Sequence, residues 1–363
     1  MQPSSRRSFL ATVAGASAAL AGCSANPLPE PVSEVWSAEI SGGSPVGKLA
    51  FTSDTVVTGS EYDGQVHLID RETGDVTASY DFDDSTRHGS AVWFGPYVVD
   101  DVVLVAAELR ILAMDFDGTE VWERTFDETE LIEFHLFEDM ALIGTKDGAL
   151  EAVAATTGEQ VWESDAVSHT EIRDYATDGT RAFFAAVTEV IVIDPADGSK
   201  LWTSEVGLDS FVGASSDAVV AVGEGSATAF DPATGEQVWD RETDYNPSRS
   251  PLVDSQVYLW GQIPAFRWSK DPDGAGPMTA LDVETGAVQW RSEEHTIHFV
   301  DVTEGNVYAL SADDALVKFA ADGTEQWSAN LDNRPIKLTV VSQSEMYVFD
   351  DRMGTLRRLE YSG

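Results

Sequence analysis

The sequence predicts an all-β fold, an eight-bladed β-propeller over residues 35–363 that is closed by an N-terminal strand in the last blade. Three observations predict it. A turn motif ending in Trp recurs at steps of about 40 residues, alternating apolar runs precede each turn, and the first and last copies are each incomplete. Because one repeat architecture can use a whole chain of 363 residues, this length does not require several domains.

The recurring turn has the form Asp-x-x-Thr-Gly-x-x-x-Trp, and residues 231–239 are its clearest copy. The Asp side chain can bond the backbone of the turn, and Gly can take the left-handed conformation. In the copy that contains Gly74, Ala78 takes the Trp phase and Tyr80 follows on the same strand face. We expect the repeated Trp to pack between neighbouring blades as a structural residue. It occurs at Trp36, Trp122, Trp162, Trp202, Trp239, Trp290 and Trp327.

A strand, a polar turn and a second strand precede each of these motifs, as in residues 56–70 and 141–153. Alternation with a period of two indicates half-buried strands, and Asp-Gly between them indicates a hairpin. The last of eight copies, residues 346–359, has no Trp strand after it, whereas Trp36 has no hairpin before it. We therefore expect the stretch around Trp36 to pair with the last hairpin, which leaves no open edge in the ring.

The net charge restricts the partners of the protein. Lys and Arg number 22 against 63 Asp and Glu, which gives a formal charge of −41. Nucleic acid is not an expected partner, because phosphate binding needs a basic face. A highly acidic, Lys-poor surface is typical of proteins that stay soluble at high salt, so we expect a salt-adapted archaeal protein. The alternative is an acidic protein with a basic or calcium-bearing partner.

The N-terminus predicts export and a lipid anchor. Residues 5–10 resemble a twin-arginine export signal, and the apolar run over 9–22 is too short to span a bilayer of roughly 30 Å. The run ends in a Leu-Ala-Gly-Cys sequence similar to a lipoprotein cleavage box, so Cys23 is the expected site of lipid attachment. Residues 1–22 would be removed and 23–34 would tether the protein to the outer face of the cell membrane. The alternative is an unmodified Cys in an exported tail.

The Asp-x-x-Thr-Gly-x-x-x-Trp repeats resemble those of the pyrroloquinoline-quinone-type propeller family over about residues 35–363. That family includes quinoprotein alcohol dehydrogenases and the outer-membrane assembly lipoprotein BamB. The resemblance implies the fold more than an activity, because one scaffold hosts unrelated functions. As a family, the quinoprotein enzymes hold the quinone beneath two adjacent cysteines and use calcium, whereas this chain has a single Cys. We expect no cofactor and no catalytic residue; the alternative is a quinoprotein-like dehydrogenase that uses pyrroloquinoline quinone and calcium.

The nearest candidate for a metal site is the pair His295 and His298, beside Glu293 and Glu294. Residues three apart on a strand point to opposite faces, so the two imidazoles would converge only in a loop. We therefore expect no metal site here.

The segment after each repeated Trp should run to the next blade at one mouth of the channel. Windows of residues 7 to 13 after the eight Trp-phase positions hold six Lys or Arg and six Asp or Glu, in a strongly acidic chain. We predict that this mouth is the partner face and takes an anionic ligand or an acidic segment. The alternative is that its basic side chains pair with nearby acids and hold the blades together. The residues are Lys48, Arg87, His88, His135, His169, Arg173, Arg249, His298, Arg334 and Lys337.

One long loop, over residues 261–277, should project from the same mouth, because it joins the middle strands of its blade. Trp260, Phe266, Arg267 and Trp268 are of the types favoured as interface anchors, so they form the predicted partner loop. The alternative is a self-packed loop over the channel. Together these features predict a monomeric binding or assembly scaffold, with an unidentified protein or an anionic ligand as its partner at the cell surface.

Overall fold

The computed structural model describes residues 32–40, 45–60, 64–81, 94–107, 110–126, 131–145, 150–167, 172–206, 211–223, 225–243, 252–253, 255–261, 277–292, 294–331, 335–342, 344–350 and 354–361. The predicted export signal, Cys23 and the greater part of the tether lie outside these residues. Within the described ranges every regular element is a β-strand, and no helix has the length and hydropathy needed to cross a membrane.

The strands form eight antiparallel four-stranded sheets, which are the blades of the propeller. Blades 1 to 4 consist of β2 (Pro45–Phe51), β3 (Thr55–Ser60), β4 (Gln65–Asp70) and β5 (Val76–Asp81); β6 (Phe94–Val99), β7 (Val102–Ala107), β8 (Arg110–Asp115) and β9 (Glu120–Thr125); β10 (Leu131–Phe137), β11 (Met140–Thr145), β12 (Leu150–Ala154) and β13 (Gln160–Ser164); and β14 (Ile172–Thr177), β15 (Ala182–Ala186), β16 (Glu189–Ile193) and β17 (Lys200–Glu205).

Blades 5 to 7 repeat this order, and blade 8 takes its fourth strand from the N-terminal side of the chain. They consist of β18 (Phe211–Ala214), β19 (Val219–Gly223), β20 (Ser226–Phe230) and β21 (Gln237–Glu242); β22 (Leu252–Val253), β23 (Gln256–Leu259), β24 (Thr279–Asp282) and β25 (Val288–Arg291); β26 (Ile297–Thr303), β27 (Asn306–Ser311), β28 (Ala315–Ala320) and β29 (Glu325–Asn330); and β30 (Pro335–Ser342), β31 (Glu345–Asp350), β32 (Thr355–Tyr361) and β1 (Val32–Glu39).

The ring closes through the antiparallel pairing of β1 with β32. Trp36 lies opposite Arg358, and Glu39 lies opposite Thr355. The eight-bladed fold and its closure by an N-terminal strand are therefore confirmed. β1 begins at Val32, ahead of the predicted start of the propeller at residue 35.

The hydrophobic core lies between the blades, because each sheet packs both of its faces against a neighbour. Leu142 and Trp162 of blade 3, for example, meet Phe184 and Ile191 of blade 4 in one buried cluster. Burial on both faces explains why middle strands such as β15 are apolar and buried at every position instead of alternating.

The first strand of each blade lies nearest the channel. Along blades 1 to 5 these innermost strands contact one another in series, and β26 contacts β30 in the same way. The antiparallel order also defines two faces of the ring. The second and fourth strands of each blade end at what we call the connector face, and the first and third strands end at the opposite turn face, where the Asp-x-x-Thr-Gly turns lie.

Candidate functional site

A repeated hydrogen bond joins each turn to the blade before it. Trp162 Nε1 donates to the main-chain oxygen of Pro195 at 2.7 Å, and the repeated Trp of five other blades makes the equivalent bond. In blade 1, where Ala78 takes the Trp phase, the Tyr80 hydroxyl donates instead to the oxygen of Phe116 at 3.2 Å. Tyr80 thus takes the place of the missing Trp, on the strand face that the sequence indicated.

The glycine of each turn lies against the aromatic ring of the preceding blade. At Gly235 the backbone has a φ of +72°, and a Cβ there would lie 2.6 Å from Trp202 Cε3. The turn is held by Asp231, whose carboxylate accepts hydrogen bonds from the backbone N–H groups of Thr234 and Ala233. The hydrogen bonds from Thr234 are the main reason that the pKa of Asp231 lies below its usual value.

Aromatic and histidine side chains link the innermost strands of consecutive blades. The ring of His135 stacks on Tyr175, with centroids 4.3 Å apart and planes inclined by 14°. The Tyr97 hydroxyl donates to the main-chain oxygen of Phe134 at 3.3 Å, and His298 Nε2 lies 3.1 Å from that of Pro335. These contacts join neighbouring blades, but their partners are a ring and main-chain oxygens, whereas the alternative for the mouth residues is pairing with nearby acids.

The structure locates five of the ten predicted mouth residues, all on innermost strands. The side chains of His135, His298 and Lys337 are described, and for Lys48 and Arg173 the backbone alone is described. The other five lie outside the described residues, namely Arg87, His88, His169, Arg249 and Arg334. The partner face at this mouth therefore stays a prediction.

Trp260 of the predicted partner loop is buried. It is 4% exposed and packs with Met278, Ile297 and Phe319 in a cluster between blades 6 and 7. Trp260 is therefore a core residue between two blades. The other three residues, Phe266, Arg267 and Trp268, lie outside the described residues.

The two histidines of the candidate metal site contact different partners. His295 Nε2 lies 3.0 Å from Glu325 Oε2, whereas His298 contacts Pro335 on β30. Across the described ranges, no three His, Cys, Asp or Glu side chains lie close enough together to hold a metal ion.

An ion pair that the sequence did not reveal joins blade 8 to blade 1. Arg71 Nε and Nη2 each lie 2.8 Å from a carboxylate oxygen of Glu345, 274 residues away in the chain. Tyr347 also donates its hydroxyl to Glu345, at 2.6 Å. The bonds from Arg71 are the main cause that holds the pKa of Glu345 below its usual value.

A second ion pair lies buried within blade 8. Asp350 is 1% exposed, and its oxygens lie 2.9 and 3.0 Å from Arg357 Nε and Nη2. Arg357 Nη2 also donates to the main-chain oxygen of Leu331, just after blade 7. Burial raises the pKa of Asp350 to about 6, although Arg357 acts in the opposite direction. The sequence did contain a signal for these contacts, because Arg357 and Arg358 are two adjacent cations flanked by apolar residues in one strand.

The repeats and their aromatic contacts define a propeller of the pyrroloquinoline-quinone-repeat class. Within that class, the chain belongs to the family described as outer membrane protein assembly factor BamB, which it matches over residues 30–132, 146–290 and 223–356.

Known relatives agree with this assignment. The chain is 21% identical over 270 residues to outer membrane protein assembly factor BamB of Yersinia pestis, which covers 66% of this chain and 67% of that protein. The crystal structure of BamB from Moraxella catarrhalis has a TM-score of 0.69 at 15% identity and covers 91% of this chain and 100% of its own. The quinohemoprotein alcohol dehydrogenase ADHIIG from Pseudomonas putida HK5 has a TM-score of 0.65 at 12% identity, covering 92% and 76%. At these identities the structures show a shared fold alone.

Proposed function

We propose that the protein is a binding or assembly scaffold, exported by the twin-arginine route, held at the outer face of the cell membrane by lipid on Cys23, and that it binds its partner at the connector face. The observation that carries this proposal is the membership of the BamB family over most of the chain. The relative from Yersinia pestis bears the name of an assembly factor.

The direction of β1 supports a binding face that points away from the membrane. β1 is the fourth strand of blade 8, so it starts at the turn face and ends at the connector face. The lipid tether, predicted over residues 23–34, runs into β1 at Val32 and would therefore lead into the turn face. The connector face, on the opposite side of the ring, would stay open to a partner.

The charges of the two faces support an anionic ligand or an acidic partner segment at the connector face. Turns between the first and second strands place exposed acids such as Asp54, Asp100 and Glu138 on the turn face. An acidic partner would be repelled there. At the connector face, the windows between blades hold equal numbers of Lys or Arg and of Asp or Glu. Turns between second and third strands add acids to this face, such as the exposed Asp313.

The experiment that tests this proposal uses full-length, membrane-anchored protein and variants of each face. Replacing Arg87, Arg249 and Arg334 by Gln should abolish cross-linking to partners that the wild-type protein captures in intact cells. A matched variant with Asp54, Asp100 and Glu138 changed to their amides should keep that cross-linking. Equal capture by both variants would contradict the choice of face. Separately, Cys23→Ser should move the protein from the membrane fraction to the soluble fraction.

The alternative function is a membrane-tethered quinoprotein-like dehydrogenase, and the fold shared with ADHIIG supports it. Purified protein mixed with pyrroloquinoline quinone and calcium separates the two functions. Saturable quinone binding with oxidation of an alcohol or a sugar would favour the enzyme. A scaffold predicts neither.

A further inference from the structure

Blades 6, 7 and 8 share a tyrosine two residues after the start of the second strand. In blade 6 the Tyr258 hydroxyl donates to Gln256 Oε1 at 2.7 Å, and in blade 8 Tyr347 donates to Glu345 Oε1 at 2.6 Å. Blade 7 has Asn306 at the equivalent position, one methylene shorter, and its Nδ2 donates to the oxygen of Glu304. The fully buried Tyr308 hydroxyl consequently has no hydrogen-bond partner within the described residues.

Blades 7 and 8 also carry a cation opposite the repeated Trp. This third-strand position is Ala in blades 2, 3, 5 and 6, but it is Lys318 in blade 7 and Arg358 in blade 8. Arg358 has a carboxylate neighbour, because its Nε lies 3.5 Å from Glu345 Oε1.

Lys318, in contrast, lies beside aromatic rings. It is 4% exposed, and its Nζ lies 5.5 Å from the centroid of Tyr308 and 5.2 Å from that of Tyr361. In the part of the chain that the structure describes, no carboxylate forms an ion pair with it. Burial lowers the pKa of Lys318, and no acid acts against that shift.

A third donor of this cluster is the indole of Trp327. At the other seven junctions an aromatic residue donates to a carbonyl of the turn in the next blade. Blade 8 has no such turn, because β32 and β1 are not consecutive in the chain. Trp327 stacks on Tyr361 instead, at 5.4 Å and 17°, and its buried Nε1 has no partner among the described residues.

We propose that Lys318, Tyr308 and Trp327 form a binding site for a small monovalent anion, a halide or the carboxylate of a small acid, and that the bound anion strengthens the junction between blades 7 and 8. The Tyr308 hydroxyl and the Trp327 indole N–H are buried donors without an acceptor among the described residues, and the Lys318 ammonium lies over the ring of Tyr308. In blade 8 the carboxylate of Glu345 fills the equivalent place beside Tyr347 and Arg358.

The Lys318 ammonium favours an anion at the cluster, whereas the carboxylate of Glu304, which acts on Tyr308, opposes one. Burial, with smaller contributions from Glu304 and Tyr361, raises the pKa of Tyr308 to about 12, so its hydroxyl is a donor at neutral pH. Glu304 itself is exposed on the turn before Asn306. The site is independent of the proposed partner face, since it lies between two blades.

Thermal unfolding of the full chain tests the proposal, with chloride or acetate replacing gluconate at constant sodium concentration. We expect the Tm of the wild-type protein to rise saturably with chloride or with acetate. Hydrogen exchange of β1 and β32 should slow about tenfold at ten times the dissociation constant of the effective anion. The response to each probe distinguishes a halide from a carboxylate ligand.

Three variants control for general effects of salt. Lys318→Met should abolish the saturable rise. Asn306→Glu should raise Tm in gluconate and remove the response, because it places a carboxylate where blade 8 has Glu345. Asn306→Gln gives Tyr308 the amide acceptor that Gln256 gives Tyr258 in blade 6. It adds no carboxylate and should keep the response. A wild-type protein without a saturable response, or an identical response in wild type and Asn306→Glu, would overturn the proposal even if Lys318→Met does not fold.

Discussion

Trp36 and Arg358 face each other across the pairing of β1 with β32, and both donate to one main-chain oxygen, that of Arg71 in blade 1, at 3.1 and 2.9 Å. A single carbonyl thus joins the N-terminal strand, the last hairpin and the first blade. The closure of the ring is therefore a junction of three segments that are distant in the chain.

Among the contacts of this junction, we expect the ion pair of Arg71 with Glu345 to contribute most to the free energy of unfolding. Glu345→Gln removes the carboxylate shared by Arg71, Arg358 and the Tyr347 hydroxyl, and leaves two cations close together. We expect a loss of about 3 kcal/mol in the free energy of unfolding, measured by chemical denaturation at neutral pH. Glu360→Gln removes an equal charge from an exposed position of β32 and should cost less than about 0.5 kcal/mol. Similar losses in the two variants would contradict this role.

The Trp-to-carbonyl bond should be measurable by comparing two junctions. Trp162→Phe removes the indole that donates to Pro195 and leaves that carbonyl without its donor, whereas Trp327→Phe removes an indole without a partner in the described structure. Both variants are measured in gluconate, so that the anion proposed to bind Trp327 is absent. Beyond the loss of ring area common to both, we expect Trp162→Phe to cost about 1 kcal/mol more. Equal unfolding free energies would show that the bond adds nothing.

Two glycines with similar backbone conformations separate the steric cost of adding a Cβ from the cost of a left-handed backbone. Gly235 and Gly179 have φ values of +72° and +82°, but a Cβ at Gly179 would meet nothing within 4 Å. Gly179→Ala should therefore cost about 1 kcal/mol, for the left-handed backbone alone. Gly235→Ala should cost about 2 kcal/mol more, because the ring of Trp202 must move. Urea denaturation measures both, and equal losses would contradict the contact.

The buried Asp350 should make stability fall as pH rises. Its pKa is raised from 3.8 to about 6, so the folded protein holds the proton more tightly than the unfolded chain. This contribution is fully present below pH 4 and is lost as pH rises through 6, by at most about 3 kcal/mol. Asp350→Asn, whose amide resembles the protonated carboxyl group, should flatten the dependence of the unfolding free energy on pH between pH 4 and 7. The exposed Asp100→Asn is the control, and parallel profiles for Asp350→Asn and wild type would contradict the shift.

The repeats made the fold predictable, because each turn carries its own Asp, Gly and aromatic residue. The unmatched Trp36 strand and the unmatched last hairpin were enough to predict the closure. The alternation rule failed for strands such as β15, since a blade buried on both faces has no polar side. The ion pair of Arg71 with Glu345 had no local signal, because nothing within either segment distinguishes one of 63 acids from the others.

The candidate site was predictable in part. Sequence spacing placed His135 and His298 in the segments that lead to the next blade, but their contacts with Tyr175 and Pro335 depend on how neighbouring blades pack. Trp260 is of a residue type favoured as an interface anchor, but it lies beside β24 and is buried there. Side-chain direction, which decides between these roles, is set by tertiary packing and not by spacing.

A disulfide between β1 and β32 tests the closure of the ring most directly. Ser33 and Glu360 are direct partners across these strands, so Ser33→Cys with Glu360→Cys, in a Cys23→Ser background, should form a cross-link on oxidation. The cross-linked protein should migrate faster on a non-reducing gel and unfold with up to about 5 kcal/mol more free energy than its reduced form. Thiols that stay free in the folded, oxidised protein would contradict a ring closed by its N-terminal strand.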